Sequence, residues 1–272
     1  FFYAIDARTG ITRWSFPIRS EGIGTPLVTG DVVYFVAGNN QAYALNTKSG
    51  EQIWFYSRID NSNLTVRGAS EPTLVDSRLY VGFSDGYLVA LDKDRGVLIW
   101  EKQLGFNPRF RDVDSKPVHE SGRLYVSSYD GQLYCLNAQN GQVLWQNEEG
   151  GFTTPLIVKD TVYYSTSSRK ILALEKGSGR ELWSRDLKTT VAGTPILHRG
   201  LLIFGEWAGS LRAVDAATGL DVAQFNTGRG VTSSVTLDKE SDRLYLMTAD
   251  ANLFSLKLNL KNQVAMWPWD KK

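Results

Sequence analysis

One phrase, repeated along the whole chain, constrains what it can fold into. From Tyr87 to Trp100, YLVALDKDRGVLIW, an apolar run meets an acidic residue, a turn ending in Gly96, and an alternating stretch that closes on Trp100. The same order recurs with Ala4, Gly10 and Trp14, with Ala44, Gly50 and Trp54, with Cys135, Gly141 and Trp145, and with Ala173, Gly179 and Trp183. A further copy runs through Ala213 and Gly219 to Ala223, where alanine stands in the tryptophan's place, and a last one, FSLKLNLKNQVAMW, is degenerate. The closing residues lie 40, 46, 45, 38 and 40 positions apart. A period of about 40 to 45 residues is that of four-stranded propeller blades.

Within one unit, Pro26–Val28, Val32–Ala37, Gln41–Asn46 and Gln52–Phe55 read as four short strands separated by Gly, Asn, Asp and Ser turns, and nothing reads as a helix. The expected fold is all-β: one domain over residues 1–272, a β-propeller of four-stranded antiparallel blades, with six full repeats and a partial N-terminal blade. The opening FFYAIDARTG corresponds to a third strand and turn, so strands upstream of Phe1 are expected.

Glycine at the end of each turn suits a backbone with positive φ, which accounts for Gly10, Gly50, Gly96, Gly141, Gly179 and Gly219 without a ligand. The tryptophans fall on the outermost strand, where an indole can reach the turn of the neighbouring blade. Burying about 150 to 250 Å² of each at about 25 cal/mol per Å² gives an upper estimate of about 4 to 6 kcal/mol. Trp14, Trp54, Trp100, Trp145 and Trp183 are therefore expected to dock blade on blade. The pattern A-x-[DN]-x-x-[TS]-G-x-x-x-W resembles the tryptophan-docking repeat of pyrroloquinoline-quinone-type propellers.

Thirty basic against 29 acidic residues give a net charge of +1, which argues against a nucleic-acid surface or a polybasic membrane patch. The single cysteine, Cys135, has no internal disulfide partner and stands where other copies carry alanine, so it is expected to be a small buried residue. His119 and His198 have no His or Cys at metal-ligand spacing, and no nucleophile elbow, phosphate loop or H-E-x-x-H is present. No catalytic residue, metal or cofactor is expected. Quinone-dependent dehydrogenases share the repeat, but that resemblance implies a vicinal cysteine pair, which one cysteine excludes.

The connections between repeats are informative. From closing residue to the opening of the next unit they span 12 residues after Trp14, 18 after Trp54, 17 after Trp100, then 10, 12 and 12. The two long ones are consecutive, so in a propeller they emerge side by side on one face. Long loops on a rigid scaffold are where binding residues concentrate.

In those loops LTVRGASEP, Leu64 to Pro72, is followed one blade later by RFRDVDSKP, Arg109 to Pro117. Both segments resemble the BamB family, lipoproteins of the outer-membrane β-barrel assembly machinery, and the match in repeat order extends from about Tyr3 to Leu258. The resemblance implies an eight-bladed, non-catalytic scaffold at the periplasmic face of the outer membrane, held through a lipid anchor upstream. Its implied partner is the BamA-type barrel subunit, with unfolded outer-membrane protein clients as further candidates. Carried onto this chain, the binding residues are Leu64, Val66 and Arg67, then Asp112 and Asp114. Val66 stands where the family has leucine, and Phe106, Pro108 and Phe110 enter the second loop. Leu64 and Val66 are expected to be exposed, and Arg67 to share a surface with Asp112 or Asp114. A periplasmic sensor propeller with a ligand on its axis is the alternative reading.

Overall fold

In the computed structural model the described residues are 1–22, 24–38, 40–58, 70–107, 110–129, 131–188 and 190–258. Every regular element among them is a β-strand, and each sheet is an antiparallel meander. The chain divides into two compact units, 1–194 and 195–272.

The first unit opens with a two-stranded sheet, β1 (Phe2–Ile5) and β2 (Thr12–Phe16). Three sheets of four strands follow: β3 (Leu27–Thr29), β4 (Val32–Ala37), β5 (Gln41–Asn46) and β6 (Gln52–Ser57); β7 (Thr73–Val75), β8 (Arg78–Gly82), β9 (Tyr87–Asp92) and β10 (Leu98–Gln103); β11 (Val118–Glu120), β12 (Arg123–Ser127), β13 (Leu133–Asn137) and β14 (Val143–Asn147). A fourth comprises β15 (Leu156–Val158), β16 (Thr161–Ser165), β17 (Lys170–Glu175) and β18 (Glu181–Asp186). The second unit has one four-stranded sheet, β19 (Ile196–His198), β20 (Leu201–Gly205), β21 (Ser210–Asp215) and β22 (Asp221–Asn226), and one with three described strands, β23 (Thr236–Asp238), β24 (Arg243–Met247) and β25 (Leu253–Lys257). These are propeller blades, the first of them partial, as the repeats require. The sequence leads us to expect a fourth strand in the last blade and Trp267 and Trp269 over a seam; both expectations fall on residues outside the described ones.

Middle strands are buried on both faces, as between stacked blades, whereas the outer strands are largely exposed. Apolar clusters join neighbouring sheets within each unit. Tyr34, Ala44 and Trp54 of one sheet pack with Leu79, Val89 and Leu91 of the next, and Ile203 and Ala213 pack with Leu244 and Leu246 in the second unit.

The repeated phrase has a local cause. Asn46 Oδ1 accepts hydrogen bonds from the amides of Lys48 (2.8 Å) and Ser49 (3.0 Å), and Gly50 N donates to Asn46 O at 2.9 Å with φ +75°. An Asx turn thus leads into a left-handed glycine, the conformation only glycine adopts cheaply. Beyond the turn the tryptophan pairs across the ladder with the small residue of the phrase: Ala44 with Trp54, Ala90 with Trp100, Cys135 with Trp145 and Ala173 with Trp183. Cys135 is fully buried, and desolvation pushes its thiol up to about 11, so it acts as the small apolar residue its position demands.

The indoles reach forward to the next blade. Trp14 Nε1 donates to Thr47 O (2.9 Å), Trp54 Nε1 to Lys93 O (2.8 Å), Trp100 Nε1 to Ala138 O (3.1 Å) and Trp145 Nε1 to Lys176 O (3.0 Å). Each ring lies against the turn glycine of that blade, Gly50, Gly96, Gly141 and Gly179 respectively. A second aromatic supports it from the tryptophan's own sheet: Tyr34, Tyr80, Tyr125 and Tyr163 stand 5.8 to 6.2 Å, centroid to centroid, from Trp54, Trp100, Trp145 and Trp183.

Candidate partner-binding site

At three blades the entering segment is a backbone strap between two neighbouring sheets. Asp112 O accepts from Tyr129 N of its own sheet's β12–β13 turn (2.8 Å), while Val113 N donates to Phe83 O of the preceding sheet (3.1 Å). Gly150 and Gly151 repeat this with Ser167 and Ser128, and Gly230 and Val231 with Ala249 and Glu206. Gly82 permits the close approach, because a Cβ there would stand 2.2 Å from Val113 O. The straps are held by backbone groups, which satisfies those groups where the chain passes between blades.

One of these straps ends the second long loop, and the described ends of the two long loops touch. Ser70 Oγ donates to Ser115 O (3.0 Å), Lys116 Nζ lies 3.3 Å from Glu71, and Thr73 Oγ1 donates to Pro117 O (2.5 Å). Thr25 Oγ1 in turn donates to Glu71 Oε1 (2.7 Å), continuing the row to the preceding strap. Ser115 Oγ both donates to Ser127 O and accepts from Ser127 N, pinning the second loop to β12.

Asp112 and Asp114 flank Val113 on this strap. Asp112 is 0% exposed, which sets it apart from an ordinary surface contact. Asp114 is partly exposed, with its Oδ1 buried and lacking a hydrogen-bond partner among the described residues. Burial and then the charge of Asp112 push its carboxyl up to about 7. Counting back from the proline of each unit, Asp114 holds the place that Ala192 occupies fully buried, so an ionisable group stands in an otherwise apolar row. Leu64, Val66 and Arg67 lie outside the described residues, and so does the expectation that Arg67 adjoins the aspartates.

The second loop also presents aromatics. Phe106 is 69% exposed, and Phe110 stands 6.1 Å from Tyr129, which stacks at 6.0 Å on Phe152 of the next strap. Tyr129 was not among the residues the sequence singled out, since it sits in an ordinary hairpin turn. Arg58, at the root of the first loop, was also not singled out. Its guanidinium binds Asp85 (2.6 Å) and Glu101 (2.5 Å) and lies 4.4 Å from the centre of the Tyr87 ring, tying that root to the adjacent blade. The sequence signal was there, as an arginine directly after an outer strand, but its acidic partners are 27 and 43 residues away.

No group of three or more His, Cys, Asp or Glu among the described residues is placed to hold a metal ion. His198 instead shares Asp242 with Arg199, Nε2 lying 3.0 Å from the carboxylate.

The comparisons follow the same blades. The family described as Outer membrane protein assembly factor BamB matches residues 2–179 and 159–262, nearly the whole chain. The chain belongs to the BamB family. The BamB protein of Yersinia pestis is 28% identical over 229 residues, covering 82% of this chain and 58% of that protein, so the chain spans little more than half the length of such a relative. The crystal structure of BamB from Moraxella catarrhalis superposes with a TM-score of 0.85 at 26% identity, over 94% of this chain and 78% of that one. Quinohemoprotein alcohol dehydrogenase from Comamonas testosteroni superposes at a TM-score of 0.68 with 14% identity, covering 84% and 52% of the two chains, a likeness of fold alone.

Proposed function

We propose that this chain is the propeller scaffold of an outer-membrane protein assembly factor, working without catalysis at the periplasmic face of the outer membrane. It binds the periplasmic part of a BamA-type barrel subunit through the two consecutive long loops. One observation carries the reading: the described ends of both loops are joined, Ser70 to Ser115 and Glu71 to Lys116, so whatever the loops hold is presented as one surface.

Leu64 and Val66 supply apolar knobs, and Arg67 a planar cation suited to a partner carboxylate. Asp114 fronts the same surface. Asp112, fully enclosed, contributes through its backbone carbonyl, which accepts from Tyr129 N and holds the strap that carries Asp114. A lipid anchor upstream of this segment holds the whole protein to the membrane, and unfolded outer-membrane clients are a secondary partner class.

The experiment is a binding titration of the barrel subunit's periplasmic domains against the parent chain and the Leu64→Ala, Arg67→Glu double variant. Binding is expected to fall at least a hundredfold while the melting temperature stays within about two degrees, as for surface substitutions worth within about 0.5 kcal/mol. Unchanged affinity in the folded double variant would refute the assignment.

A further inference from the structure

We propose that the slot beside Ala223, between the two sheets of the second unit, is a binding site for a small neutral aromatic molecule of indole size.

The slot exists because two large rings are missing from one blade. In the first unit four sheets carry a tyrosine on the second strand and a tryptophan on the fourth, both facing the same small residue of the third strand. Tyr34 and Trp54 both pair with Ala44; at the corresponding place Ala213 pairs with Ile203 and with Ala223. The walls of the next blade persist. Leu244 and Leu256 pair across β24 and β25 as Leu79 and Leu91 do beside Trp54. With the walls kept and both rings replaced by smaller side chains, a cavity of about 370 Å³ remains, lined by Ile203, Ala213, Ala223, Leu244, Leu256 and Leu258 among others. Apolar cavities of about 150 Å³ already take up benzene, and sites of about 300 to 1,000 Å³ with apolar walls are the usual form for small ligands.

The strand end that carries the acceptor in the first unit has its counterpart here. Lys93, whose carbonyl receives the Trp54 indole N–H, is fixed by its own N–H on Ser77 O at 3.0 Å. Leu258, which lines the slot, makes the corresponding bond from its N–H to Asp242 O at 2.9 Å. A flat bicyclic ring with one N–H donor therefore has the shape and polarity of the indole that fills this place at Trp54, Trp100 and Trp145. Two cations stand at the rim, Arg212 and Lys257; Arg212 is already engaged by Glu206 (2.8 Å) and Asp221 (3.4 Å), and the walls between them are apolar, which suits a neutral ring.

The test uses the whole 272-residue chain and indole itself as the probe. Thermal melts are expected to show a saturable rise in melting temperature with indole, and nuclear Overhauser contacts are expected from its ring protons to the methyls of Ile203, Leu244 and Leu256. Ala223→Trp fills the slot from within and should abolish the response. Should that variant not fold, Ile203→Tyr, which restores the residue type of the other blades, should weaken binding at least tenfold. A response absent up to the solubility of indole, or undiminished in a folded variant, overturns the proposal. So do contacts from the chain's own Trp267 or Trp269 to those methyls before indole is added, since the slot would then be filled from within.

Discussion

The indole of Trp54 covers Gly96 of the next blade so closely that a Cβ on that glycine would stand 2.6 Å from the ring. Gly96 therefore answers two demands at once, a left-handed turn at φ +66° and a surface flat enough to receive a tryptophan. Gly10, at φ +73°, meets only the first, because nothing lies within 4 Å of its added Cβ. Gly10→Ala should cost about 1 to 2 kcal/mol, the strain of a left-handed alanine. Gly96→Ala should cost a further 1 to 3 kcal/mol or so for overpacking. Denaturant melts of the two variants compare them directly, and equal losses would mean that the contact with Trp54 yields freely.

Trp54 is 6% exposed and combines burial with a hydrogen bond to Lys93 O. Trp54→Ala is expected to lose about 3 to 5 kcal/mol, as for large aromatic truncations in a core. Trp54→Phe keeps most of the packing and removes one of two donors to the Lys93 carbonyl, Tyr34 Oη remaining at 3.1 Å, so its loss should be about 1 kcal/mol. A loss below that for the alanine variant in equilibrium unfolding would remove the docking role.

Asp114 gives stability a pH dependence. Its folded value of about 7 lies above that of an unfolded aspartate, near 4 by the usual reference (about 3.9). The folded state thus holds this proton more tightly, and the contribution is fully present below about pH 4 and lost as pH rises through about 7. Asp114→Asn, which cannot ionise, should match the parent near pH 4 and exceed it by about 1 to 2 kcal/mol at pH 8, the full shift being discounted for the group's partial exposure. Unfolding at both pH values measures this; a parallel pair of curves would contradict it.

Arg58 anchors the root of the first long loop through a geometry lysine cannot copy, two carboxylates on different atoms of one plane and an aromatic face. Arg58→Lys is expected to cost about 1 to 2 kcal/mol and to raise protease cleavage within 59–69. Limited proteolysis at matched stability reads the second effect, and unchanged cleavage would confine Arg58 to the blade.

The fold was legible because its repeat is local. Asn46, Ser49 and Gly50 lie within one turn, and the alternation leading to Trp54 is set by a two-residue period, so any copy of the phrase announces the same hairpin wherever it sits. The placement of Ser70 beside Ser115 was likewise implied, since consecutive long connections in a repeating array emerge next to each other. The candidate site was legible only as a pair of loops. Which of its aspartates is enclosed depends on a strap of backbone bonds to Phe83 and Tyr129 that no side-chain pattern records.

The sequence by itself determined the blades, the glycine turns and the outward position of the tryptophans, because each follows from interactions between residues a few positions apart. The tertiary structure alone decided what stands opposite them. Tyr34 beneath Trp54, the enclosure of Asp112, Arg58 between Asp85 and Glu101, and the slot left where Ile203 and Ala223 replace two rings all arise where strands from different parts of the chain meet. Such meetings are set by packing across blades, and packing energy depends on the shape of the neighbour, which is not contained in the period of the repeat.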